Sequence, residues 1–170
     1  MRGTRILWMS SLVLLAAQAL LSYAELPARM ASHLDLQGHP NDWTSRESFY
    51  LLWLVAVAAV NVWVPFVPRL IRRIPSRFWN MPNKEYWLRD DSRRRLLETR
   101  LASLAEAIAV PANVLLLVAF QTVYQYNTEG RIRIPTWIFW ALVGIVAAVA
   151  LIYPFRALRT PRGGRADEET

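Results

Sequence analysis

The chain has 170 residues, of which 54% are hydrophobic and only 19% charged, whereas a soluble domain of this size usually carries about a quarter charged residues. There is no cysteine, which excludes disulfides and thiolate metal sites. The formal charge of +7 suggests nucleic acid until its distribution is considered, and that distribution follows membrane topology instead.

The apolar residues fall into four runs: 6–24, 48–67, 101–126 and 134–155. Each is close to the roughly 20 residues that a helix needs to cross hydrocarbon about 30 Å thick. Only the third contains an acid, Glu106. These runs predict an all-α membrane protein with four transmembrane helices over residues 1–155 and a disordered tail over 156–170. Sixteen of the twenty basic residues lie in the N-terminal tail, the connection 69–100 and the C-terminal tail. By the positive-inside rule both termini are cytoplasmic, and the loop 25–47 is extracytoplasmic. Met1–Ala24 also ends in a signal-peptidase-like Ser-Tyr-Ala, but its apolar run exceeds the usual core of about 7–15 residues, which favours a retained helix.

In the first span Ser11, Gln18 and Ser22 share one face, expected to pack on another helix. In the outward loop, Ser32–Leu36 alternates polar and apolar, Gln37–Asn41 is a turn signal and Asp42–Ser45 returns, predicting a small β-hairpin. Thr44 or Ser45 is the expected cap of the second span. In that span Asn61 is expected to bond to a neighbouring helix, and Pro65 and Pro68 to end it.

The connection 69–100 interleaves arginines with Phe78, Trp79, Tyr86 and Trp87. Beside two spans this pattern predicts contact with anionic lipids at the cytoplasmic face rather than nucleic acid. Asn83 is placed to cap a short helix through Trp87, and Asp90 or Asp91 to start a long helix entering the third span. There Glu106, Asn113 and Gln121 fall near one stripe, and an intramembrane carboxylate is a functional candidate. Pro111 is expected to kink this helix. Asn127–Gly130 reads as a tight turn. In the fourth span Ala141, Gly144 and Ala148 form a small-residue face suited to close helix packing.

Two segments carry a family resemblance. The pattern Leu26-Pro27-x-Arg29-Met30-x-x-His33-x-Asp35-x-x-Gly38-x-Pro40-Asn41-Asp42-Trp43-x-Ser45-Arg46 resembles the outward loop of a bacterial membrane domain of unknown function found at the N-terminus of Sdp-type (SdpI-like) immunity proteins. Asn80-Met81-Pro82-Asn83-Lys84-Glu85-Tyr86-Trp87-Leu88 is similar to a signature after the second span of many relatives. The resemblance covers residues 6–88 and implies a multi-pass protein of the bacterial cytoplasmic membrane. Full immunity proteins of this kind protect cells from a secreted killing peptide. They carry further spans and a C-terminal motif that has no counterpart here.

Arg29, His33, Asp35, Asp42, Trp43 and Arg46 are therefore the candidate ligand-binding residues, and Glu106, Asn113 and Asn61 the intramembrane polar candidates. The expected function is non-enzymatic: binding or sensing an extracytoplasmic ligand such as a peptide, in an immunity or signalling role, with relay to a cytoplasmic regulator. One alternative is an accessory or scaffold subunit beside other membrane subunits. A remoter one is a metal-dependent enzyme using His33, Asp35 and His39. Their spacing matches no known metal signature, and no cofactor is expected.

Overall fold

A computed structural model describes residues 2–35 and 37–160. Helix α1 (Arg2–Ser22) leads into an antiparallel hairpin of β1 (Arg29–Leu34) and β2 (Pro40–Ser45). Then come α2 (Arg46–Asn61), a 3-10 turn (Val64–Phe66), α3 (Val67–Arg73), a second 3-10 turn (Ser76–Phe78), α4 (Lys84–Leu88), α5 (Asp91–Glu129) and α6 (Thr136–Ala157). Among the described residues four segments are long and apolar enough to cross a membrane: Gly3–Ser22, Arg46–Arg73, Asp91–Glu129 and Thr136–Ala157. Their lipid-ready surfaces include Leu20, Leu21, Leu51, Trp137 and Leu151, all exposed. The chain has the build of a multi-pass membrane protein.

Helix α5 is the axis of the bundle. It touches α1, α2, α3, α4, α6 and β1. Asp90 caps it by accepting from Arg93 N–H at 2.8 Å, the start expected from the sequence. Pro111 lies within it, and the helix continues to Glu129. The expected turn at Asn127–Gly130 is therefore mostly helix. Gly130, at φ 67°, ends it, because glycine takes the left-handed conformation without a Cβ clash.

Pro65 and Pro68 do not terminate the second span. Each occupies the first turn of a new helical segment, the 3-10 turn and α3, where a missing N–H costs nothing. The chain thus continues to Arg73. The Ser45 side chain caps α2 by accepting from Ser48 N–H. Asn83 does precede α4, but at φ 56° and with no side-chain capping bond.

The apolar core has two parts. At the hairpin end Leu15, Leu26, Met30, Phe49, Trp53 and Phe120 pack together. The Phe120 ring is 4.9 Å from Trp53 and 5.5 Å from Phe49, centre to centre. Toward the other end Val64, Ala105 and Ala109 meet Trp8, Val60 and Val67. Helix α6 has no fully buried residue. Its Ala141, Gly144 and Ala148 face is exposed, with nothing within 4 Å of a Cβ added at Gly144, so the expected close packing is not made among the described residues.

The basic connection is folded rather than extended. Arg72 in α3 pairs with the buried Glu98 of α5 at 2.8 Å. Trp87 is fully buried, and its Nε1 donates to Leu158 O at 3.2 Å. Phe78 remains exposed. For the tail expected from 156, α6 runs to Ala157, and residues 161–170 lie outside the described chain.

Candidate functional site

The hairpin register pairs Arg29 with Ser45, Met30 with Thr44 and Ala31 with Trp43. It then shifts, so that His33 faces Asp42 and Leu34 faces Pro40. The strands begin earlier than alternation in the sequence predicts, and the reason is tertiary. Met30 and Ala31 are both buried. The Asn127 amide on α5 accepts from Ala31 N–H at 2.8 Å and donates to Ala31 O at 2.9 Å. That side chain supplies β1 with the partner a third strand would give, satisfying both backbone groups.

The loop candidates divide into two kinds. Arg46 anchors the hairpin: its Nη1 donates to Tyr23 O and Leu26 O, each at 3.1 Å, and its guanidinium lies 4.4 Å from the Tyr23 ring centre. It thereby satisfies carbonyls just beyond the end of α1. Asp42 accepts from Ser32 Oγ at 3.1 Å and from Trp43 N–H at 2.9 Å. Asp35 accepts from the N–H groups of Gln37 at 2.9 Å and His39 at 2.8 Å. The His39 N–H is the chief cause holding its carboxyl below the ordinary 3.8. These contacts hold the hairpin's own shape. Arg29, His33 and Trp43 are exposed.

His33 and Asp35 also border a cleft of about 340 Å³ between the hairpin and the helices. Phe120, Ala119 and Val123 of α5 line it, with Phe49 and Trp53 of α2, Phe139 and Thr136 of α6, and Ile132 and Ile134 of the connection before α6. Gly38, at φ 85°, lets the hairpin tip close on that connection, since a Cβ there would lie 2.9 Å from Ile132 Cδ1. Ser32 and Thr122 add hydroxyls. An apolar pocket with a few polar groups at its edge is the usual form of a site for an apolar or amphipathic ligand. Arg29, Asp42, Trp43 and Arg46 do not line it. Among the described residues no three His, Cys, Asp or Glu side chains converge as a metal site. His39 Nδ1 and Asp35 Oδ2 are 3.6 Å apart.

The intramembrane candidates form a ladder between α1 and α5. Thr4 Oγ1 donates to Glu106 at 2.8 Å, Asn113 Nδ2 to Ser11 at 2.8 Å, and Gln18 Nε2 to Gln121 at 3.1 Å. Tyr124 donates to Glu25 beyond them. The positions advance together along both helices, so α1 and α5 run parallel. The steps of seven along α1 and from Glu106 to Asn113 match a heptad seam, and the step of eight to Gln121 departs from it. Asn61 of α2 joins the middle rung, exchanging bonds of 2.8 and 3.0 Å with Asn113 and accepting from Trp8 Nε1 at 2.8 Å. Thr4 and Trp8 had not stood out in the sequence, where Asn127 reads only as the start of a turn. The seven-residue steps Thr4, Ser11, Gln18 were the available signal for the first. For Asn127 there was none, because its partner is backbone.

Residues 11–59 match the model of a family described as "Domain of unknown function (DUF1648)". That description names no enzymatic activity. No curated protein and no solved structure matches the chain. The matched segment spans most of α1, the whole hairpin and most of α2, and it supports a membrane-type domain family of unknown function.

Proposed function

We propose that the protein binds an extracytoplasmic amphipathic ligand, such as a peptide, in the cleft beneath the hairpin, in a sensing or immunity-type role within an SdpI-like family. The carrying observation is the apolar cleft roofed by the hairpin, with His33 and Asp35 at its edge. The distribution of basic residues supports an outward hairpin. The ligand's apolar part would lie against Phe120, Phe49 and Phe139, and its polar end would meet His33 and Asp35. This reading moves the contact surface from the exposed loop face at Trp43 to the hairpin's inner edge. The test is photo-crosslinking in intact cells from benzoylphenylalanine at Phe139, with products identified by mass spectrometry. A discrete peptide adduct, abolished by Ala119→Trp and retained with Trp43→Ala, is the expected result. Adducts to lipid chains alone would refute it.

A second reading is a subunit of a larger membrane complex. The observation favouring it is the exposed Ala141, Gly144 and Ala148 face of α6. It predicts co-purifying membrane subunits that are lost on Gly144→Leu and unaffected by Ala119→Trp.

A further inference from the structure

We propose that the end of the bundle opposite the hairpin carries a discrete site for the phosphate of an anionic phospholipid. There α1, α5, the end of α6 and the residues just after it border an open cavity of about 500 Å³, lined by Arg100, Arg156 and Arg159 with Thr4, Ser103, Tyr153 and Thr160. Thr4 already donates to Glu106; the three guanidinium groups and the hydroxyls of Ser103, Tyr153 and Thr160 are the donor set that phosphate oxygens take, with arginine suited to paired bonds.

The fold prepares one of these groups in advance. Arg100 Nη1 donates to Ala157 O at 3.1 Å and Arg159 O at 2.8 Å. Its guanidinium lies 4.9 Å from the ring centre of the fully buried Trp87. Trp87 in turn bonds Leu158 O. The Trp87 segment thus locks Arg100 and the end of α6 together, which lowers the ordering cost of binding. Among the described residues, no carboxylate lies within 4.0 Å of any of the three guanidiniums. Their charge is therefore not spent on ion pairs there.

A phospholipid is favoured over a free phosphate by what flanks the cavity. Leu151, Ile152 and Phe155 on the last turns of α6 are 68%, 55% and 70% exposed. They give acyl chains an apolar surface beside the basic pocket. Basic pockets between spans at a membrane surface are known sites for anionic headgroups.

The test uses the full chain purified in detergent, titrated with phosphatidylglycerol or phosphatidylcholine and read by native mass spectrometry. The side chains of Arg156 and Arg159 are exposed, so Arg156→Gln/Arg159→Gln leaves the packing intact. The expected result is phosphatidylglycerol binding about 30-fold weaker in that variant, from roughly 5-fold per cation at a membrane surface. Arg73→Gln/Arg77→Gln, which removes equal charge outside the cavity, should change it by less than about 2-fold. Equal losses in the two variants, no loss in the first, or equal binding of phosphatidylcholine would overturn the site. Inorganic phosphate displacing the lipid at equimolar concentration would overturn its assignment to a phospholipid.

Discussion

Replacing Asn113 with leucine tests the central joint of the bundle. Asn113 is fully buried and makes three side-chain bonds across helices: one to Ser11 and two with Asn61. Interhelical bonds in a bilayer contribute about 0.6 kcal/mol each on average, because the separated helices find other partners. The structure shows those partners already in place: Ser11 also donates to Trp8 O, and Asn61 Nδ2 also donates to Val57 O. Asn113→Leu, which keeps the branched outline of the side chain, should therefore destabilise helix association by about 2 kcal/mol from the lost bonds rather than by the larger cost of stranded polar groups. Asn61→Leu combined with it should show a coupling of about 1.2 kcal/mol, the share of the two mutual bonds. Steric-trapping unfolding in bicelles measures both quantities. A coupling below about 0.3 kcal/mol, within the scatter of independent sites, would mean that the asparagines do not bond to each other and would refute the ladder.

Two further outcomes concern the hairpin. Asn127→Ala removes both bonds to Ala31 and should speed hydrogen exchange at the Ala31 amide about 10-fold, for a loss of about 1–2 kcal/mol; unchanged exchange would mean that β1 does not depend on α5. Asp35 has its folded-state carboxyl held below 3.8. Its contribution is thus complete above 3.8 and lost as pH falls through the lower folded value. The amide NMR shifts of Gln37 and His39 should move together in that acid window, and Asp35→Asn should abolish the transition; its persistence in the variant would assign it to another group.

The sequence by itself determined the number of spans, the hairpin between the first two and the start of α5, because each is written in local chemistry. Uncharged runs of membrane length, an alternating strand pattern around Gly38 and capping residues such as Ser45 and Asp90 act within a few neighbours. Where local reading went astray, a distant group had intervened. Asn127 continues α5 and clamps β1, and Pro65 and Pro68 start new helical turns on a path that packs against α5.

The candidate site was half legible. A loop rich in His, Asp, Arg and Trp drew attention to a segment that forms one wall of the cleft, but composition does not say which side of a hairpin faces a cleft. Tertiary structure decided that Arg46, Asp42 and Asp35 hold the loop's own frame while His33 and Asp35 border the apolar space. It also decided that Arg100, Arg156 and Arg159, up to 59 residues apart in the chain, meet at one cavity. Helix packing brings such groups together across long separations, and no periodicity within a single segment encodes that meeting.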